Sequence, residues 1–220
     1  GRRCAHDLAA VQAMFAARQV IQIVRKPGLD EQVARRVAFL TDYQDAAYAA
    51  RYKALVEQVR AAEQATSVSS TALTEAVSRY FFKLMAYKDE YEVARLHTDA
   101  AFAQQITAMF EGEVRLQHHL APPLLAKTDD KGELIKQVYG PWMHGAMKVL
   151  ARFKVLRGGP LDLFGRTAER REERALIGEY EGTIRELLQS LNAGNHTLAA
   201  EIARLPEDIR GYGHVKARHL

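Results

Sequence analysis

Histidines are the residues of this chain with the clearest potential for metal chemistry, because neutral imidazole is a common protein ligand for zinc and related ions. The sequence contains eight of them, but no two stand four residues apart with a glutamate between them. His118 and His119 are adjacent, and adjacent side chains of a strand point to opposite faces, so the two cannot chelate one ion together. We therefore predict no metal site. One histidine of this pair should pack inside and form a hydrogen bond while the other meets solvent, and His119 is a candidate contact residue.

Paired carboxylates and glycine-rich loops are present, but without the surroundings that a catalytic or cofactor site needs. Asp129 and Asp130 lie beside Lys131-Gly132, a combination typical of a solvated turn and not of a general acid–base pair. Gly158-Gly159 follows a predicted helix instead of a strand and lacks the G-x-G-x-x-G spacing of a dinucleotide site. We predict no catalytic residue, assign no cofactor-binding residue, and expect the segment alone to be inactive.

Lys88 is a charged residue at a position where the helical pattern predicts burial. It lies four residues after Leu84 and three before Tyr91, on the line of a predicted helix that should face the core. Arg95 follows on nearly the same line, and Glu92 lies one turn after Lys88. A buried charge needs a partner, so two interpretations stay open. Either the lysine stem packs on the surface with an exposed ion pair, or these residues form a polar cluster inside the domain or at a partner surface.

The basic stretch Lys148–Arg157 precedes the glycine pair and is a candidate anion site. With the glycine loop it could hold the phosphates of coenzyme A or another anionic ligand. The alternative is that these side chains complement the dipole of the helix and stay solvated, and Arg157 is kept as a candidate site residue.

Two further segments contribute candidate polar or contact residues. The helix that starts at Thr167 is dense in charge, which a solvated helix start with ion pairs one turn apart explains, and Arg170 lies in its first turns. We expect a turn at Gly211–His214 that can expose Tyr212 and His214, which would dock onto another surface or tie down the tail of the chain.

Composition sets broad limits on the class of protein. The net charge of the 220 residues is only +4, with 31 basic residues interleaved with 27 acidic ones, which argues against nucleic-acid binding. The single cysteine, Cys4, can form no intrachain disulfide and cannot by itself hold an iron–sulfur cluster. No apolar run approaches the length of roughly 20 residues that a membrane span needs. We expect a cytoplasmic protein that binds neither membrane nor nucleic acid, and a chain that belongs to a longer polypeptide.

Helical periodicity predicts an all-α fold of long helices packed as an irregular bundle, with a small β-hairpin near residues 114–139. Residues 1–29 should form an N-terminal helix and linker, and residues 30–220 a helical domain. We expect Tyr43, Tyr48 and Tyr52 to be core or helix-contact residues. The predicted helices are Asp7 to about Arg18, Asp30 to Ala62, Thr71 to about His97, Asp99 to about Phe110, Pro141 to Phe153, one capped by Thr167, and a last one opened by Asn195 or Thr197 and closed by Pro206.

Six strings in one order resemble the C-terminal helical region of the fused indolepyruvate ferredoxin oxidoreductases, which are thiamine-diphosphate-dependent 2-oxoacid oxidoreductases. They cover the chain from about residue 30 onward, and six ordered strings are more specific than a single motif. The matching strings are RRVAFLTDYQDAAYAARY from Arg35, LTEAVSRYFFKLMAYKDEYEVARLH from Leu73, HLAPPLLA from His119, YGPWM from Tyr139, VLRGGPLDLFGRTAERREERALI from Val155 and LPEDIRGYGHVKARH from Leu205.

The resemblance implies a parent enzyme that decarboxylates an aryl 2-oxoacid oxidatively, forms an acyl-CoA and reduces ferredoxin. That parent would use thiamine diphosphate, magnesium and iron–sulfur clusters held by its other regions, with no cofactor on this segment. The segment would then be a structural and interaction domain that packs against the catalytic regions or across a contact of a homo-oligomer. The alternative is a module of the same enzyme that binds coenzyme A or another anionic ligand.

Overall fold

The computed structural model describes residues 27–109, 117–120 and 137–209. Within these ranges the chain forms eight α-helices and one two-stranded antiparallel sheet, which confirms the predicted all-α fold with a small hairpin. The elements are α1 Leu29–Tyr43, α2 Ala46–Ala65, α3 Ala72–Met85, α4 Glu90–Thr98, α5 Ala100–Met109, β1 His118–Leu120, β2 Gln137–Tyr139, α6 Trp142–Arg152, α7 Ala168–Ser190 and α8 His196–Arg204. Short 3-10 turns follow α6 at Phe153–Leu156 and α8 at Leu205–Glu207.

Two predicted long helices are each divided in the structure, so those two predictions are wrong. The helix expected over Asp30–Ala62 ends at Tyr43, and Asp45 caps α2 by accepting a 2.7 Å hydrogen bond from the backbone N–H of Tyr48. The helix expected over Thr71–His97 ends at Met85, and Asp89 caps α4 in the same way. An aspartate in an extended conformation offers the backbone a capping bond that competes with continuing the helix.

Other predicted boundaries agree with the structure. Thr167 caps α7 through a 3.3 Å hydrogen bond from the N–H of Arg170, and Asn195 immediately precedes α8. The helix predicted over Asp7–Arg18 and the turn at Asp129–Gly132 lie outside the described residues. None of the helices in the described ranges combines the length and the apolar character needed to cross a membrane.

The main core lies around α3, which packs against α1, α2, α7 and α8. Its apolar side chains recur at helical spacing and are fully or almost fully buried: Leu73, Val77, Phe81 and Leu84. Each such side chain contributes about 1.5–3 kcal/mol when it leaves water. A helix buried by four neighbours therefore organises the bundle.

Buried tyrosines connect the helices through their hydroxyls. The hydroxyl of Tyr43 donates to the carbonyl of Tyr87 at 2.7 Å, and that of Tyr52 donates to the carbonyl of Ser78 at 2.9 Å. Tyr48 is half-buried and donates to the carbonyl of Met85 at 3.0 Å. The prediction that Tyr43, Tyr48 and Tyr52 are core or helix-contact residues is confirmed.

A second, smaller core joins α4, α6 and the hairpin. It contains Ala94 of α4, Tyr139 of β2 and the two methionines Met143 and Met147 of α6. The hairpin register places His118 opposite Tyr139. This small core attaches the hairpin to the bundle through α4 and α6.

A buried carboxylate joins α2, α3 and α8. Glu63 accepts hydrogen bonds from the backbone N–H groups of Leu73 at 2.9 Å and Thr74 at 3.0 Å, and from the Thr74 hydroxyl, so it caps the first turn of α3. Nε2 of His196, the first residue of α8, lies 2.6 Å from Glu63 Oε1. Burial alone would raise the pKa of Glu63, but the hydrogen bonds from Thr74, His196 and the two backbone groups outweigh it and lower that pKa.

Replacing Glu63→Gln is expected to lower the free energy of unfolding by about 2 kcal/mol at neutral pH, because an amide accepts at one oxygen only and carries no charge. The folded-state pKa of Glu63 lies below its ordinary value of 4.5, so its contribution is present above that pH and is lost as pH falls through the folded pKa. Urea unfolding at descending pH should show the gap between wild type and variant shrinking below that value. Glu57→Gln, on the exposed side of α2, is the matched control, and a gap independent of pH would contradict the assignment.

Candidate functional site: a buried polar junction, an apolar patch and a basic cleft

A fully buried ion pair joins Arg157 to Asp89. Arg157 Nε lies 2.5 Å from Asp89 Oδ2 and Nη2 lies 2.8 Å from Oδ1, so the contact is bidentate. The two side chains are 2% and 4% exposed. Arg157 Nη1 also donates to the carbonyl of Tyr43 at the end of α1. One guanidinium thus ties the loop after α6 to the α3–α4 connection and to α1.

The rings of Tyr43 and Tyr91 lie beside the Arg157 side of this pair. The Arg157 guanidinium carbon lies 3.6 Å from the centroid of the Tyr43 ring, within cation–π range. Burial alone would lower the pKa of Arg157, but the hydrogen bonds to Asp89, together with the charges of Tyr43, Asp89 and Tyr87, outweigh burial and raise that pKa. Burial and the Asp89 charge raise the pKa of Tyr87 to about 12, so its hydroxyl stays protonated at neutral pH. The geometry is that of a permanent structural contact.

The sequence interpretation of Arg157 as part of a solvated or ligand-binding basic segment is therefore wrong. Its side chain points into the bundle and is occupied by Asp89 and Tyr43. Lys154, earlier in the same segment, donates to the carbonyl of Asp42. Asp89 lies 68 residues before Arg157, and no local pattern signals a pairing at that separation.

The loop that follows Arg157 folds around Asp162, which is buried. Asp162 Oδ2 accepts a 2.7 Å hydrogen bond from Gly158 N–H, and Oδ1 accepts a 2.9 Å bond from Gly165 N–H and a 3.2 Å bond from the Tyr91 hydroxyl. Gly158 has a φ of +75°, which favours glycine. A side chain at Gly165 would overlap the Asp162 carboxylate and come within 2.6 Å of Arg174 Nη1. The backbone N–H groups that could have received a ligand phosphate are therefore taken by an internal carboxylate.

Arg170 is held inside the domain by ion pairs. Its Nη1 lies 2.6 Å from Glu173 Oε2, and its Nη2 lies 3.4 Å from Glu90 Oε1 on α4. Burial alone would lower the pKa of Arg170, but Glu90 and Glu173 raise it. The expected ion pair one turn along the helix is confirmed, but the guanidinium is largely buried and also links α7 to α4.

Lys88, Glu92 and Arg95 do not lie along one helical line. Lys88 is exposed in the α3–α4 connection, because α3 ends before it, so it does not lie on the core-facing line. Its exposure agrees with the interpretation of a surface lysine. Glu92 is buried and receives two hydrogen bonds from Arg95, at 2.7 and 2.8 Å. The Arg95 guanidinium also lies over the Phe39 ring at 5.2 Å. A role of these residues at a partner surface stays a prediction.

Three histidines meet beside the small core, and one of the predicted pair is among them. His118 is buried and its ring centroid lies 5.5 Å from that of His97 and 6.0 Å from that of His144, whereas His119 is exposed, as predicted for one packed and one solvated residue. The expected hydrogen bond of the packed histidine is not found at its Nε2, which is buried without a partner among the described residues. Burial and the neighbouring imidazoles lower the pKa of His118. In the part of the chain that the structure describes, no group of three His, Cys, Asp or Glu side chains is placed to hold a metal ion. Tyr212 and His214 lie outside the described residues.

The buried carboxylates are used to hold the fold together. All six in the described ranges bind an arginine, a histidine or the N–H groups at the start of a helix or within a loop. They are Glu63, Asp89, Glu92, Asp162, Glu173 and Glu181. Each of these six carboxylates is thus engaged in a structural contact.

Exposed apolar side chains are concentrated on α6 and its flanks. Among the described residues twelve large apolar side chains are exposed, and seven of them fall between residues 138 and 163. We call these seven the α6 patch: Val138, Trp142, Val149, Phe153, Val155, Leu161 and Leu163. Monomeric proteins rarely leave such residues clustered unless the cluster meets a partner.

The patch follows one side of α6. Trp142, Val149 and Phe153 are 62%, 54% and 48% exposed, and their spacing of seven and four residues places them on one line of the helix. Met143 and Met147 lie buried on a neighbouring face of the helix. Sequence reasoning overlooked this surface, although a helix apolar on two faces was a signal that could have found it.

A cleft of about 400 Å³ opens beside the Asp162 loop. It is lined by Gly159, Pro160, Asp162, Gly165, Arg166, Arg171 and Arg174. A larger cleft of about 560 Å³ lies between the start of α1, α3 and the end of α8, where arginines and glutamates alternate. Arg157, the residue predicted for an anion site, lines neither cleft.

The comparisons with known proteins identify the family of this chain. Residues 29–220 match the family of unknown function designated DUF6537, and the chain belongs to that family. No curated protein and no solved structure matches the chain.

Removing one partner of the buried Arg157–Asp89 ion pair should strongly destabilise the domain. Arg157→Met is expected to lower the free energy of unfolding by about 3–5 kcal/mol, because it leaves the Asp89 carboxylate buried without its counter-charge. The double variant Asp89→Asn/Arg157→Met should lose less than the sum of the two single variants. Chemical unfolding of all four proteins measures this coupling.

Arg152→Met, at an exposed arginine of α6, is the matched control and should change the free energy of unfolding by less than about 0.5 kcal/mol. Strictly additive single effects would show that Arg157 and Asp89 do not act as one unit.

Proposed function

We propose that this chain is a structural and interaction domain of an indolepyruvate ferredoxin oxidoreductase, and that it docks onto the other regions of that enzyme through the α6 patch. The observation that carries the docking role is the exposed line Trp142, Val149 and Phe153. Over the eleven residue steps from Trp142 to Phe153 a helix rises about 16 Å, long enough to anchor a protein–protein contact.

The chemistry of the patch suits a protein partner. Its large aromatic and aliphatic side chains lose water when another apolar surface covers them, which contributes roughly 25 cal/mol for each Å² buried. Aromatic residues such as Trp142 and Phe153 are enriched among the residues that dominate binding energy at interfaces. The contact residues predicted from sequence, Lys88 and His119, are exposed as well and could form part of a polar rim.

The assignment of the parent rests on the six ordered strings that resemble these oxidoreductases. In this proposal the parent oxidises an aryl 2-oxoacid such as indolepyruvate, forms an acyl-CoA and reduces ferredoxin in the cytoplasm. Thiamine diphosphate, magnesium and the iron–sulfur clusters belong to other regions of a homo-oligomeric enzyme. The structural use of the six buried carboxylates in the described residues is in keeping with a supporting role for this domain.

The alternative, a module that binds coenzyme A through Lys148–Arg157 and the glycine loop, has less support than the docking role. Of the segment Lys148–Arg157, the side chains of Arg157 and Lys154 are bound within the domain, and the glycine loop is closed around Asp162. The exposed cations Lys148 and Arg152 remain available there.

Polar substitution in the α6 patch should weaken the assembly of the full enzyme. Trp142→Ser/Val149→Ser, made in the polypeptide encoded by the complete reading frame, is expected to destabilise the assembled protein by more than about 2 kcal/mol, because the patch would lose its apolar contact. Thermal unfolding and size-exclusion chromatography measure the change.

Leu198→Ser, at an exposed leucine of α8, is the control and should have little effect. If the patch variant keeps the stability and oligomeric state of the wild type, the docking role is refuted.

The parent assignment has its own assay. The complete polypeptide, supplied with thiamine diphosphate and magnesium, should reduce a viologen dye with indolepyruvate only when coenzyme A is present. Absence of any 2-oxoacid-dependent reduction would refute the oxidoreductase assignment. It would not affect the docking role, which the α6 patch variant tests independently.

A further inference from the structure

The cleft beside the Asp162 loop is lined by three guanidinium groups, Arg166, Arg171 and Arg174. Arg166 belongs to the loop that precedes α7, while Arg171 and Arg174 lie one turn apart on α7 itself. Residues at this spacing share a face of the helix, so both can point to the same side. The cleft of about 400 Å³ is large enough for a small anion and part of a larger ligand.

Two of these arginines lack a carboxylate partner in the described part of the chain. The Arg171 side chain makes neither an ion pair nor a hydrogen bond there, and Arg166 donates only to the carbonyl of Pro160, at 3.1 Å. By contrast, Arg170 on the same helix is paired with two glutamates at 3.4 Å or less. The positive charge of Arg166 and Arg171 is therefore not neutralised within the described ranges.

The opposite charges of Arg174 and Asp162 lie close together inside the cleft and largely offset each other. Arg174 Nη1 lies 3.7 Å from Asp162 Oδ2, and Nη2 donates to the Gly165 carbonyl. Nη1 is buried and has no hydrogen-bond partner. Three arginines against one aspartate leave a net charge of +2 in the lining.

We infer that this cleft binds a doubly charged phosphate-type oxyanion, either free phosphate or the phosphoryl group of a larger ligand. Guanidinium groups suit this ligand because their planar N–H pairs donate two parallel hydrogen bonds to adjacent oxygens. The net charge of the lining matches a dianion. Recognition falls on the side chains of Arg166 and Arg171, because Asp162 already occupies the N–H groups of Gly158 and Gly165. The inference does not depend on the identity of the parent enzyme.

Calorimetric titration tests the site with inorganic phosphate and, in parallel, with phenyl phosphate, both at constant ionic strength because exposed charges are screened by salt. Saturable binding of phosphate in the millimolar range or tighter is expected. Tighter binding of phenyl phosphate would identify a phosphoryl group of a larger ligand, and equal binding would identify free phosphate.

Variants locate the site. Arg171→Gln should weaken binding about tenfold, and Arg166→Gln/Arg171→Gln should abolish it, because each removes a charged bidentate donor. The phosphate affinity of Arg171→Lys should lie between those of wild type and Arg171→Gln, since lysine keeps the positive charge but cannot donate two parallel hydrogen bonds. Both arginines are exposed, so the variants should unfold at the wild-type temperature, which a thermal scan checks.

Arg152→Gln is the matched control, because it removes an exposed arginine from the basic end of α6 and should leave the affinity unchanged. The inference is overturned if wild type shows no saturable binding up to about 10 mM phosphate. It is also overturned if the double variant binds like wild type, or if Arg152→Gln loses binding instead.

Discussion

The ion pair between Arg157 and Asp89 is the contact on which the arrangement of this domain depends. Asp89 has two tasks, because the same carboxylate caps α4 and binds the guanidinium. Arg157 reaches α1 through the Tyr43 carbonyl and stacks on the Tyr43 ring. A charge pair at such a depth is tolerated only when its hydrogen bonds are satisfied, so the surrounding elements must meet at one geometry.

The loop after α6 has two opposite faces as a consequence of that contact. Arg157 and Asp162 fix its inner side, where Tyr91 and the N–H groups of Gly158 and Gly165 complete the hydrogen bonds of Asp162. In the same stretch of chain, Leu161 and Leu163 of the α6 patch are exposed, and Gly159 and Pro160 line the arginine cleft. The same short stretch of chain thus contains both buried residues that stabilise the fold and exposed residues that are candidates for binding.

Local signals allowed part of this fold to be predicted. The caps at Thr167 and Asn195 are recognisable because a capping residue needs only the first turn of its own helix. The caps at Asp45 and Asp89 are hard to predict because apolar periodicity continues on both sides of them and favours an unbroken helix. The pairing of Arg157 with Asp89 had no local signal, since it depends on how α1, α3 and α4 pack. The α6 patch could be predicted from the sequence, because Trp142 and Phe153 make a second face of the helix apolar beside the face that carries Met143 and Met147.

The central claim is that α6 turns its apolar side toward another part of a larger protein. Hydroxyl-radical footprinting of the polypeptide encoded by the complete reading frame tests it directly, because the labelling rate of an indole follows its exposure to solvent. Trp142 is the only tryptophan of this chain and is 62% exposed in the structure. The account predicts that Trp142 is labelled as slowly as a buried side chain in the complete protein. Labelling at the rate of a freely exposed tryptophan would contradict it.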